Sequence, residues 1–143
     1  MSIAIKVGSL VQNGVTGLVS LSAYLTAAAR YETFESNRGG TGLGGGTDYQ
    51  VTAGKTLYIT KIIYFSPVAN CEGFIIGYGD DGVAEGAAAP TNPVGLTPMY
   101  GLSSIVARQL NEVNVFLIVP AQKFPYAYSI ANVSSIIIEG YEV

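Results

Sequence analysis

At 143 residues, with 49% hydrophobic and 12% charged side chains, the chain suffices for one domain with a real core but has about half the usual charge. So little charge leaves apolar patches poorly separated, and an oligomer or larger assembly is expected. A net charge of −3, with the basic residues scattered, lacks the footprint of a nucleic-acid binder, and the absence of histidine excludes Ser-His and Cys-His dyads and a histidine metal cluster.

In chain order, Ile3, Ile5 and Val7 alternate with Ser2, Ala4 and Lys6, a short β pattern. Residues 8–29 mix Gly, Ser, Leu and Val. Leu18, Leu21 and Leu25 fall near helical spacing, and Ala27–Ala29 favour a helix that Gly14 and Gly17 oppose. The reading is an N-terminal arm or edge segment over 1–30, with a short helix near 20–29 as the alternative. Ile3, Ile5, Val7, Leu10 and Val11 are its candidate assembly interface. Gly8, Gly14 and Gly17 leave the segment little stability of its own. It would gain order by burying its apolar side against a neighbour, for instance as a strand added to a partner's sheet edge. An edge strand of its own domain is the competing reading. Gln12, Asn13, Gly14, Thr16 and Gly17 interrupt any apolar run, so neither a signal peptide nor a membrane span is expected, and synthesis in a cytoplasm is.

A β-sandwich domain is assigned to 31–143. A strand is expected through Tyr31–Phe34. Residues 39–46 hold six glycines in eight positions, a flexible loop or hinge. Thr56–Phe65 is almost wholly β-branched or aromatic and ends before Pro67. Phe74–Tyr78 follows, closed by a hairpin turn at Gly79-Asp-Asp-Gly82. Residues 83–98, with Pro90, Pro93 and Pro98, read as a long irregular loop. Asn114–Val119 reads as a buried strand, Tyr126–Ile130 alternates, and Ser135–Val143 closes the chain. About seven or eight strands of this kind predict an all-β fold, a jelly-roll-like two-sheet antiparallel β-sandwich. Leu57, Ile59, Ile62, Phe74, Ile76, Phe116, Ile118, Ile136 and Ile138 are its expected core.

The motifs that could carry chemistry lack their context. Gly40-Thr-Gly-Leu-Gly-Gly45 fits a dinucleotide fingerprint literally, but a strand follows it where a helix is needed. Gly54-Lys-Thr56 ends like a Walker A motif, yet Tyr49 stands where the first glycine belongs. Glu72, Asp80, Asp81 and Glu85 could form a glycosidase pair or a calcium site, but Asp-Asp-Gly is ordinary turn chemistry and the EF-hand spacing is absent. Cys71 is the lone cysteine, so no intrachain disulfide can form, and it reads as a buried bystander thiol. Asn132-Val-Ser134 matches a glycosylation sequon without a secretion signal. No catalytic set emerges, and a protein without enzymatic activity, cofactor or metal is expected.

Two stretches echo each other. Val51-Thr-Ala-Gly-Lys-Thr-Leu-Tyr58 and Val119-Pro-Ala-Gln-Lys-Phe-Pro-Tyr126 share Val, Ala, Lys and Tyr at equal offsets. Each reads as a strand end, a tight turn carrying a lysine, and a new strand. These corners, with the terminal Ile136–Val143 strand, resemble small β-sandwich proteins of tailed phages, and over residues 47–143 the chain looks like a capsid decoration (cement) protein with a jelly-roll fold. The resemblance implies a homo-oligomer, a trimer favoured, that is made in the host cytoplasm and sits on the virion surface, bracing major capsid protein subunits, with no nucleic-acid or membrane partner. The alternative is a receptor- or carbohydrate-binding module of a phage fibre or tail, using loop 83–103 and tyrosines such as Tyr78 and Tyr100 as stacking surfaces.

Overall fold

A computed structural model describes residues 17–36, 46–65, 73–97, 110–130 and 134–143. They form β1 (Leu18–Leu25), β2 (Arg30–Thr33), β3 (Glu35–Ser36), β4 (Thr47–Asp48), β5 (Leu57–Phe65), β6 (Phe74–Gly79), β7 (Val94–Gly95), β8 (Asn111–Val119), β9 (Phe124–Ser129) and β10 (Ser134–Glu142). A six-stranded sheet runs β4-β3-β1-β10-β5-β8 and a four-stranded sheet β2-β9-β6-β7, with every neighbouring pair antiparallel. Without the two-residue β3 and β4, the remaining strands divide evenly, β1-β10-β5-β8 facing β2-β9-β6-β7, which is the double Greek key of a jelly roll. The expected fold class is the observed one, and the described residues contain no helix.

Period-two alternation builds the interior. Leu21, Ala23 and Leu25 of β1, Leu57, Ile59 and Ile62 of β5, and Ile136 and Ile138 of β10 turn inward. They meet Phe74 and Ile76 of β6, Ala127 of β9, and Phe34 just past β2. Leu57, Ile59, Ile62, Phe74, Ile76, Ile136 and Ile138 are thus core as expected. Phe116 and Ile118 are not: both are exposed. β8 is an edge strand buried on one side only, so Val113, Val115, Leu117 and Val119 face the core and the residues between them face out.

Two further expectations are corrected. Residues 18–25, read within an arm or edge segment, form a strand paired with β10 along its length and touching β3 on its other side, so the helical alternative for 20–29 gives way. The near-helical spacing of the leucines is outweighed by Val19, Leu21, Ala23 and Leu25 alternating toward the core. Gly79-Asp-Asp-Gly82 does not close a tight hairpin, because β6 reaches its partner β7 only after residues 80–93.

The echoing corners are a structural repeat. Lys55 N–H donates to Thr52 O (3.0 Å) and Lys123 N–H to Pro120 O (3.3 Å). The equivalent third residues, Gly54 and Gln122, both have positive φ (79° and 66°), as a type II turn requires. The corners also lie side by side, with Val51 N–H donating to Lys123 O (3.0 Å) and Gln122 N–H to Val51 O (2.8 Å). They tie the β5 entry to the β8–β9 connection at one end of the sandwich.

Candidate assembly surface

One row across the outer face of the six-stranded sheet is apolar where a solvated face would be polar. The register sets Leu18 of β1 beside Tyr141 of β10, Tyr141 beside Tyr58 of β5, and Tyr58 beside Ile118 of β8. Leu18, Tyr141 and Ile118 are 54%, 36% and 46% exposed, and Phe116 next to them 62%. The rings of Phe116, Tyr58 and Tyr141 form a stack across three strands, with centroids 5.4 and 5.3 Å apart. Next to this row Lys61 of β5 faces Glu139 of β10 and is ion-paired with Glu112 of β8 (3.8 Å), and beyond that charged row Ile63 and Ile137 form a second apolar pair.

A bulge shapes this face. Opposite β10, Thr60 is an extra residue between Ile59 and Lys61, and Gly140 sits where a methyl group would collide with the Tyr58 carbonyl oxygen. Beside the bulge is an open groove of about 380 Å³, walled by Leu18, Tyr141 and Glu139, with Thr60 and Gly140 also lining it. The face therefore carries a ridge at β8 and a depression near β1 and β10.

The four-stranded sheet also turns aromatics outward, but it packs them against one another and buries Tyr126. Tyr31 lies 4.4 Å from Tyr128 and 5.8 Å from Tyr126 between ring centroids. Tyr126 is buried because its ring crosses Gly77, whose missing Cβ would stand 2.7 Å from the hydroxyl. Burial, and then the neighbouring Tyr31, raise its pKa above the ordinary 10.0. Residues 83–86 seal the β2 edge: Tyr31 and Gly86 exchange both backbone hydrogen bonds (2.7 and 3.0 Å), and Val83 N–H donates to the Thr33 hydroxyl (2.8 Å).

The acidic residues hold loops in place. Asp80 accepts from Lys123 Nζ (2.5 Å) and Asn92 Nδ2 (2.8 Å), and these two bonds, Lys123 first, keep its carboxyl below the ordinary range. Asp81 accepts from the Thr91 N–H (2.7 Å) and hydroxyl (2.9 Å). Glu85 accepts from the Thr26 N–H and hydroxyl (3.1 and 2.7 Å) and pairs with Arg30 (3.6 Å). Burial alone would raise its pKa, but these partners outweigh that and lower it. At the closed end of the sandwich, buried Glu142 accepts from the Tyr49 hydroxyl and from Thr52 N–H (3.3 Å). Burial raises and hydrogen bonds from Thr52 and Tyr49, with Lys55 nearby, lower its pKa; the net direction is down. For Tyr49 burial comes first and the Glu142 carboxylate second, and both raise the pKa. Among the described residues no three or more His, Cys, Asp or Glu gather to hold a metal ion.

Ile3, Ile5, Val7, Leu10 and Val11 lie outside the described residues, as do Cys71, Glu72, Tyr100, Asn132 and most of the glycine run. Asp80, Asp81 and Glu85 each serve a different loop contact. Tyr78 is half-buried and packs against the core. The surface that sequence reasoning missed is the one centred on Tyr58, Phe116, Ile118 and Tyr141. Its signal was present in β8: polar Glu112 and Asn114 occupy the alternate positions that continue to Phe116 and Ile118. Compared with known protein families, curated proteins and solved structures, the chain matches none.

Proposed function

We propose that the protein is a non-enzymatic structural protein that enters a larger assembly through the outer face of its six-stranded sheet, as a homo-oligomeric decoration (cement) protein of a tailed-phage capsid. The observation that carries this reading is the exposed row Leu18–Tyr141–Tyr58–Ile118 with Phe116 beside it, a contiguous apolar surface of the kind that marks protein–protein contact. Aromatic residues at its centre and few charges match the composition of interface cores. The acidic and tyrosine networks support the same reading, because each is engaged in holding the fold. The jelly roll supplies a rigid plate on which such a face keeps its shape, and a plate that buries apolar area can brace neighbouring shell subunits. The partner on the shell is the major capsid protein. Co-sedimentation of the purified protein with empty, undecorated capsids tests this. Saturable binding that raises the capsids' disruption temperature is expected, and protein left in the supernatant at every concentration would sink the reading.

A further inference from the structure

Three places in the molecule invite more: the acidic loop 80–92, the Tyr49–Glu142 pair, and the bare outer face of the large sheet. The first two are internally satisfied, with each described carboxylate taken up by a donor in its own neighbourhood. The third has both a shape and an area that specify an occupant.

We propose that the outer face of the six-stranded sheet is covered by the same face of a second copy of this chain, related by a twofold axis. This rests on the reading of that face as an assembly surface and names what meets it first. The ridge and the depression lie on opposite sides of the face: Phe116 and Ile118 project from edge strand β8, while the groove opens between Leu18 and Tyr141, with β10 and β5 separating β1 from β8. A twofold axis lying in the interface, parallel to the strands and midway between ridge and groove, sets the Phe116 ridge of each copy over the groove of the other. Such a contact is isologous, and it closes at two subunits. The groove, at about 380 Å³, is larger than the roughly 150 Å³ apolar cavity that holds a benzene ring, so it admits an aromatic side chain.

The area agrees. Strands β1, β10, β5 and β8, each of eight or nine residues, present a plate of roughly 20 by 27 Å. With its side-chain relief, that approaches the about 800 Å² per partner of a stable interface. Face-to-face sheets pack with strands near −30°, a geometry open to two identical twisted plates. Charge lies within the plate as well: Lys61 of β5 stands beside Glu139 on β10 and pairs with Glu112 on β8, so this band of the face carries both signs.

Sedimentation equilibrium on the full chain, with no capsid present, tests this. A reversible dimer is expected in the micromolar range. Phe116→Glu should weaken it at least 100-fold while far-UV circular dichroism and the thermal melt of the diluted protein stay unchanged. Ile118→Lys, on the same ridge, serves if the first variant does not fold. Ser20→Arg fills the groove from the other side and should weaken the dimer comparably. A wild-type monomer at about 200 µM overturns the inference, as does a trimer, or a dimer that survives all three substitutions. If Ile5→Asp dissociates the protein and Phe116→Glu does not, the N-terminal segment is the occupant and the inference is wrong. Capsid co-sedimentation of the same variants separates the two failures: a monomer that still binds capsids, and loses binding with Phe116→Glu, leaves the assembly reading standing and removes only the second copy.

Discussion

The two sheets of this sandwich both turn aromatic rings outward, and they treat them differently. On the four-stranded sheet Tyr31, Tyr126 and Tyr128 lean on one another, Gly77 gives Tyr126 a seat, and residues 83–86 close the neighbouring edge. On the six-stranded sheet Tyr58, Phe116 and Tyr141 stack in line, but no described segment lies over them, and Leu18, Phe116 and Ile118 remain among the most exposed large apolar residues. The first face spends its aromatic area on the stability of the monomer. The second holds the same kind of area in reserve for a partner. Jelly-roll topology treats the two sheets almost alike, so the difference comes from side chains and loops, and a function argued from the fold name alone would miss it.

The largest effect that could break this comparison comes from two phenylalanines. Phe34 is fully buried, and Phe34→Ala should cost about 3–5 kcal/mol of folding stability. Phe116→Ala should cost less than about 1 kcal/mol when measured by denaturant titration at a concentration low enough to keep the protein dissociated. A loss at Phe116 as large as that at Phe34 would show that the outer face is already covered within the monomer. Next come two glycines, one in each sheet. A methyl at Gly140 meets the Tyr58 carbonyl oxygen across the β5–β10 bulge, and one at Gly77 meets the Val94 carbonyl oxygen and the Tyr126 ring. Both obstacles include backbone, which cannot step aside as a flexible side chain does. Gly140→Ala and Gly77→Ala should each cost about 1–3 kcal/mol. Only the Gly140 substitution should also distort the groove and weaken association.

How much of this was legible in the sequence differs between the faces. The inward residues of β5, β6 and β10 announced themselves through β-branched and aromatic density, and the strands fall where that density does. The echoing corners were visible too, since Gly54 and Gln122 occupy equivalent turn positions. The apolar run Val115–Val119 hid its two-sidedness: an edge strand with apolar residues on both faces reads the same as a buried one, and only Glu112 and Asn114 mark the outward parity. The bulge at Thr60 hid more, because it shifts the outward positions of β5 from even to odd, placing Tyr58 and Ile63 on one face despite their odd spacing. Which side of β1 faced the core was obscured by leucines that also fit a helix. Long-range pairing with β10 decided it, and no local pattern encodes that.

The smallest predicted effect sharpens the comparison within a single strand. Tyr141 and Glu142 are neighbours in β10 that point to opposite sides, one to the bare face and the other to the interior. Glu142 is held ionised against its burial by Thr52 and Tyr49, so its folded pKa lies below the ordinary 4.5. A carboxylate with a depressed folded pKa contributes stability that is present above its unfolded value and lost as pH falls through the folded one, because there the unfolded chain binds more protons. Tyr49 acts at the opposite limb: its folded pKa is raised, so its contribution is present below the unfolded value near 10 and lost as pH climbs through the folded one. Tyr49→Phe removes the hydroxyl but keeps the ring and leaves Thr52 N–H on the carboxylate. It should therefore cost only about 1 kcal/mol at neutral pH. It should also flatten the acid limb of the stability profile below about pH 4.5, since the Glu142 pKa moves back toward its ordinary value. Self-association should be unaffected. Tyr141→Ser should do the reverse, weakening association with little change in the melt of the dissociated protein. Denaturant titrations from pH 3 to 7, paired with sedimentation at pH 7, read the acid limb and the association. An unchanged acid limb in Tyr49→Phe would show that the inner side of β10 does not depend on this pair.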